Sequence, residues 1–266
     1  MYEEQIKQMQ WSFSRLSCFE QCPYEFYLQY IVKDDELYPK ENNYYAEVGS
    51  VVHEVLADVF EGKVCIDDSP KVFMERYERD VVSEAKKSTM EKKYEQCAMY
   101  FSEVDFNWMK DYEIVGVELN TELEIEGYKF VGFIDLLIRD KTTGEFAVID
   151  HKSSAYFLKR DGSVKKSSAH DFNKYKKQMY LYCHAVHELF GVYPKWISWN
   201  HFLDGGRFTT IPFVFEEYQN TIRWMIDSIH RIEIEKEFNP NPEYFYCKYL
   251  CSFRTSCEYR NEVSNV

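Results

Sequence analysis

Two carboxylates and a lysine in one short stretch define the chemistry to look for. Asp135 closes the run Val131-Gly132-Phe133-Ile134-Asp135, and Asp150-His151-Lys152 follows fifteen residues later. Carboxylate oxygens suit a hard dication such as Mg²⁺ or Mn²⁺. A lysine beside them can orient an attacking water or offset charge on a phosphate. The combination points to phosphodiester hydrolysis. A D-x-K triplet alone is common by chance, and Asp and Lys at strand ends are ordinarily just solvated. The elements around it have to carry the reading.

Two strand-like runs, 128–139 and 145–150, flank the turn signal Lys141-Thr142-Thr143-Gly144. A hairpin there brings Asp135 and Asp150 to neighbouring strands. The segment 48–60 places Val52, Val55, Leu56 and Val59 on one helical face, with His53 beside that face and four residues after Gly49. A lone histidine is more often a hydrogen-bonded structural residue than a ligand, because metal sites need several convergent donors. Residues 171–190 read as a helix ended by Gly191, with Gln178 and Tyr182 one turn apart on a shared face. The runs 195–203 and 207–214 form a hairpin across Asp204-Gly205-Gly206, and 216–238 is the last long helix.

Upstream, Ser12 or Ser14 caps a first helix, Pro23 interrupts it, and the aromatic-rich 24–31 continues as a second. Residues 34–43 are a connection, and 70–110 read as one or two charged helices within a helical insertion, 65–112. The order of helices, strands, helix, strands and helix gives an α/β (α+β) class with a central mixed sheet flanked by helices. One domain over 1–266 accommodates all of it.

The chain has 266 residues, 45% of them apolar and 18% aromatic, enough for a packed core. A net charge of −13 argues against a protein that coats nucleic acid generally. Residues 156–180 are nonetheless basic, with Lys159, Arg160, Lys165, Lys166, Lys174, Lys176 and Lys177 against Asp161 and Asp171. Such a run is usually a solvated face, but directly after Lys152 it suits a phosphate-tracking surface. No apolar run is long enough to span a bilayer, and MYEEQIKQMQWSF lacks a signal-peptide pattern. A cytoplasmic setting is expected, that of the host for a phage-encoded protein, with no membrane partner.

Eight cysteines in such a setting suggest metal or redox chemistry more than disulfides. Cys65, Cys97 and Cys183 are scattered, whereas Cys247, Cys251 and Cys257 crowd the tail after Asn239-Pro240-Asn241-Pro242.

Together these pieces resemble the PD-(D/E)XK nuclease superfamily, in its RecB-like branch, over nearly the whole chain. The motifs that carry the resemblance are Ser12-Phe13-Ser14-Arg15-Leu16 through Cys22-Pro23-Tyr24, Gly49-x-x-x-His53, Gly132-x-x-Asp135, Asp150-x-Lys152 and Gln178-x-x-x-Tyr182. Each is weak alone, and their order is what makes them specific. The resemblance implies a restriction-endonuclease-like core in which His53, Asp135, Asp150 and the His151 main-chain carbonyl ligate Mg²⁺ or Mn²⁺. Lys152 would position or deprotonate the attacking water, and Gln178 and Tyr182 would orient the scissile phosphate. Glu118 is expected near the site without being a ligand.

Members of this branch, among them the CRISPR-associated spacer-trimming nuclease and the AddB subunit, hold a [4Fe-4S] cluster on one N-terminal and three C-terminal cysteines. That implies Cys22 with Cys247, Cys251 and Cys257 as a staple between the chain ends. The tail spacing is C-x₃-C-x₅-C where the branch commonly has C-x₂-C-x₅-C, so Cys18 stays open as the alternative to Cys22, and Zn²⁺ as the rival occupant. The function implied is a metal-dependent DNA exonuclease acting on single strands or ends. Its partners would be DNA and proteins of recombination, repair, phage replication or spacer acquisition of the CRISPR type. The alternatives are a non-catalytic nucleic-acid-binding or scaffold module, which the net charge favours, and a zinc-stapled structural protein.

Overall fold

The computed structural model describes residues 2–261. In chain order the elements are α1 (Tyr2–Lys7), α2 (Phe13–Gln21), α3 (Pro23–Phe26), which runs into a π-helical turn at Tyr27–Val32, α4 (Tyr44–Phe60), α5 (Ser69–Asp80) and α6 (Lys87–Glu103). Three strands follow, β1 (Tyr112–Ile125), β2 (Tyr128–Asp140) and β3 (Phe146–Lys152), then α7 (Ala169–Phe190), β4 (Trp196–His201), β5 (Arg207–Pro212) and α8 (Phe215–Ile234). Ser12 is the cap of α2, its Oγ accepting from Arg15 N at 3.2 Å. Gly191 ends α7 in the left-handed region, where a side chain would be strained.

The five strands form one mixed sheet in the order β1-β2-β3-β4-β5. β2 and β3 are antiparallel, β3 and β4 parallel, β4 and β5 antiparallel. The parallel step needs a crossover, and α7 supplies it. This is the α/β architecture of restriction-endonuclease-like proteins.

β1 lies outside the two expected hairpins. From Leu119 onward it alternates cleanly, Thr121, Leu123 and Ile125 buried against Asn120, Glu122 and Glu124 exposed. Before that point the alternation breaks at Gly116–Glu118, and Glu118 takes a left-handed φ of 44°. β1 and β2 turn over at Glu126-Gly127, both with positive φ, which is the type I′ geometry that matches strand twist.

The chain divides into two bodies, one of Tyr44–Leu123 with Gly132–Gln219, the other of Met1–Asn43 with Glu124–Val131 and Asn220–Val266. In the first, Val48, Val51, Val52, Val55 and Leu56 of α4 pack on Leu136, Ile138 and Ile149 of the sheet and on Phe73 and Phe101. Each such side chain contributes about 1.5–3 kcal/mol of burial, which fixes the rotation of α4 and so the direction of His53. In the second body Tyr24, Leu28, Cys251 and Phe253 cluster. Trp11 binds the sheet tip there, its N–H donating to Lys129 O at 2.7 Å and its carbonyl accepting from Val131 N at 2.8 Å.

Candidate active site

Strand register decides which side chains meet. Leu136 pairs with Ile149 and Leu137 with Val148, and one further step sets Asp135 opposite Asp150. Both are buried, at 8% and 1% exposure. Like charges directly opposite repel, so the pair requires a cation or a proton. Lys152 meets part of that need: Nζ donates to Asp150 Oδ1 at 3.0 Å and lies 2.8 Å from Oδ2. Oδ2 is buried yet accepts no aligned hydrogen bond, so the short contact is an ion pair with a lone pair left over. His151 N donates to Asp135 Oδ2 at 2.7 Å.

α4 brings His53 to the same place. Its Nε2 is 2.9 Å from the His151 carbonyl, and its Nδ1 is 3.5 Å from Asp135 Oδ2 and 3.8 Å from Glu118 Oε1. The His151 imidazole faces elsewhere, against Asn200 Nδ2 at 3.0 Å and stacked on Phe60. Only its backbone belongs to the site. From α7, Gln178 accepts from Lys152 Nζ at 3.2 Å and donates to Tyr182 Oη at 2.7 Å. The Lys152 ammonium also sits 4.5 Å from the Tyr175 ring centre.

His53, Asp135, Asp150, the His151 backbone, Lys152, Gln178 and Tyr182 are thus brought together. Glu118 stands near the site, as expected from the sequence, whereas sequence reasoning passed over Tyr175, which lies one turn before Gln178 on the same helical face. A cleft of about 740 Å³ runs past them, lined by Gly49, His53, Glu118, Lys152 and Tyr175.

The electrostatics follow from two carboxylates buried side by side. Burial, and then the Asp150 carboxylate, raise Asp135 above the ordinary carboxylate range. Burial disfavours a charged His53, but Asp135 and Glu118 outweigh it and hold the ring above its ordinary 6.5. Burial likewise disfavours the Lys152 ammonium, and Asp150 with Asp135 more than compensates, so it stays charged. His151 is kept neutral, well below the usual value, by burial and by the charges of His53 and Lys152.

Both raised groups push stability the same way. The raised Asp135 costs stability as pH climbs from its ordinary 3.8 to its raised value, and the His53 contribution, full below 6.5, is lost as pH climbs through its own raised value. The share of metal-free stability that rests on Asp135 and His53 is therefore expected to fall as pH rises through neutrality, against the opposite pull of His151, His184 and His201, whose lowered values add stability as pH rises towards 6.5. Thermal melts in chelator of the parent and of the Asp135→Asn, His53→Gln double variant check it; a parent that gains on the double variant as pH rises overturns these charge states.

Gly132 shows how tightly the site is supported. A Cβ there would lie 3.3 Å from Tyr182 Cε1 and 3.4 Å from Thr121 Oγ1. Gly132→Ala is expected to displace the Tyr182 ring and cost about 1 kcal/mol by overpacking, measured by urea denaturation. Unchanged stability would mean the ring yields freely.

The donor set fits a hard dication: carboxylates, one imidazole, a backbone carbonyl and a buried carboxylate oxygen without an aligned partner.

A second group of ligand-type residues lies in the other body. Cys22, Cys247, Cys251 and Cys257 line one cavity, together with Glu25 and Tyr246. Cys18 is not on that lining. None of the eight cysteines is in a disulfide, and burial pushes the Cys247, Cys251 and Cys257 thiols up. Tyr246 Oη donates to the Glu25 carboxylate at 2.7 Å.

Residues 10–258 match the sequence profile of the PD-(D/E)XK nuclease superfamily, and the chain belongs to it. Among solved structures it is similar to a candidate exonuclease from Eubacterium rectale, at 16% identity over 99% of this chain and 91% of that one, with a TM-score of 0.54. That likeness bears on fold alone. It also matches SSO0001, at 17% identity over 80% of this chain and 85% of that one, with a TM-score of 0.32, too low to bear on the fold. No curated protein sequence matches it. Among the described residues no helix is long and apolar enough to cross a membrane.

Proposed function

We propose that the protein is a divalent-cation-dependent deoxyribonuclease of the RecB-like branch, acting as an exonuclease on single strands or DNA ends. The observation that carries this is the meeting of Asp135, Asp150 and Lys152 with His53 beside one open cleft. The exonuclease description of the Eubacterium rectale neighbour supports the same direction.

His53, Asp135, Asp150 and the His151 carbonyl surround the place of a Mg²⁺ or Mn²⁺ ion. A bound dication lowers the pKa of water and offsets charge growing on phosphate oxygens. Held charged by two carboxylates, Lys152 orients the attacking water and faces the phosphate as a cation rather than as a base. Gln178, fixed between Lys152 and Tyr182, presents its amide to the scissile phosphate or its neighbour.

End-labelled single- and double-stranded DNA incubated with Mg²⁺, Mn²⁺ or chelator tests this. Cation-dependent loss of label from ends is the expected result. Binding without cleavage in any metal would return the chain to a scaffold role.

The basic segment supports a strand path, but only part of it is available. Lys165 Nζ donates to Tyr156 O at 2.6 Å, and Lys176 pairs with Glu217 at 3.0 Å. Lys159, Arg160 and Lys166 are exposed. Replacing these three with alanine is expected to weaken DNA binding and to lower the salt slope by about 0.7–0.9 per lost phosphate contact. An unchanged slope in a fluorescence-anisotropy titration would make this a merely solvated loop.

The cysteine cavity supports a [4Fe-4S] cluster on Cys22, Cys247, Cys251 and Cys257 over Zn²⁺. Four thiolates on one zinc at about 2.3 Å must crowd together, whereas a cluster spreads them over different irons. Among the described residues only His53, Glu118 and Asp135 bring three ligand atoms within 4.8 Å of one another, so the four thiols are spaced more widely than one zinc requires.

A further inference from the structure

We propose that Glu118 is a direct ligand of the divalent cation, so that His53 is joined by three carboxylates rather than two. The proposal rests on the nuclease reading of the same site and adds a residue to it. Among the described residues, His53, Glu118 and Asp135 are the three whose ligand atoms all lie within 4.8 Å of one another. Asp150, opposite Asp135 on the next strand, stands outside that spacing, with a buried Oδ2 that accepts no aligned hydrogen bond.

The spacing suits one ion. A cation about 2.0–2.1 Å from its donors in octahedral geometry has adjacent donors roughly 3 Å apart and opposite ones roughly 4 Å apart. His53 Nδ1 is 3.5 Å from Asp135 and 3.8 Å from Glu118, within reach of small side-chain rotations. The other ring nitrogen, Nε2, lies 2.9 Å from the His151 carbonyl, so the ring stands between that oxygen and the two carboxylates.

Glu118 is also free to take the role. No lysine or arginine pairs with it among the described residues, and its side chain is 44% exposed on the cleft. Its backbone is bent to put it there. The left-handed φ of 44° falls where β1 loses its alternation, and it takes the Glu118 side chain out of the strand's regular in-and-out order. Gly116 permits the bend, because a Cβ at that position would meet Leu119 Cβ at 3.1 Å.

The test is Mn²⁺ binding to the full-length, metal-free protein, followed by calorimetry and by electron paramagnetic resonance in ¹⁷O-water. Glu118→Ala is expected to weaken Mn²⁺ at least about tenfold and to add one exchangeable water to the bound ion. Glu118→Gln should weaken binding similarly, since an amide restores a hydrogen-bond acceptor but not the charge. Melting in chelator checks that both variants fold. Parent-like affinity and water count in Glu118→Ala, with binding lost in Asp135→Asn, overturns the Glu118 assignment and leaves the metal site standing. Rescue by Glu118→Gln overturns direct ligation in favour of ring positioning. A parent protein that binds no Mn²⁺ overturns both readings together.

Discussion

Asp150→Ala is expected to abolish cleavage and to lower stability by about 3 kcal/mol, the lower end of what breaking a buried ion pair costs. A polar residue at a strand end would ordinarily contribute little to the fold, so activity alone should suffer. The burial changes that. Asp150 is 1% exposed, and its partner Lys152 has a side chain only 16% exposed. Removing the carboxylate leaves an ammonium held by Gln178 and the Tyr175 ring but without its closest counter-charge. Relief of repulsion between Asp135 and Asp150 offsets part of the loss.

Asp150→Asn combined with Lys152→Met should be inactive yet close to the parent in stability, because it removes both charges together. Urea denaturation of the four-member cycle in chelator isolates the pair, and the end-labelled assay reads catalysis. Parent-like cleavage by Asp150→Ala would remove this aspartate from the catalytic core. Parent-like stability would show that the pair is solvated.

How much of this was legible in the sequence depended on whether a signal was local. The hairpin of β2 and β3 was readable from two apolar runs and a Thr-Gly turn, and the register then set Asp135 against Asp150. α7 was readable because its apolar period and Gly191 agree. β1 was not, since the left-handed backbone at Glu118 coincides with a break in the alternation on which strand reading rests. Glu118 was expected near the site, but its placement beside His53 depends on that unusual φ and not on spacing. The occupation of Lys165 and Lys176 was equally invisible, because their partners, Tyr156 O and Glu217, are set by loop closure and helix packing. Each of the two bodies is assembled from separated segments, so no linker of polar or proline-rich composition marks a boundary between them.

Loss of any one of Cys22, Cys247, Cys251 or Cys257 is expected to cost both the bound cofactor and several kcal/mol, since metal binding and folding are linked. The thiols come from the two ends of the chain and meet around one cavity. A cluster held there closes a very long loop, and the entropy of that closure is removed from the unfolded state. Apolar packing at this place is modest, with Tyr24, Leu28 and Phe253 as its buried members beside Cys251; hydrogen bonds from Tyr246 to Glu25, Tyr38 to Glu258, Asn43 to the Tyr249 carbonyl and Arg254 to the Asn42 carbonyl also tie the chain ends. Cys65 is exposed and lies outside the cavity, so Cys65→Ser should leave stability within about 0.5 kcal/mol of the parent. Catalysis should decline only as far as the fold does, because the site residues belong to the other body. Anaerobically purified protein should be brown, with iron and acid-labile sulfide, and Cys22→Ser should bleach it. Stoichiometric zinc in colourless protein would keep the four-cysteine staple and discard the iron–sulfur assignment. A Cys22→Ser protein that keeps its colour while Cys18→Ser loses it would move the N-terminal ligand by one helical turn, against the cavity lining.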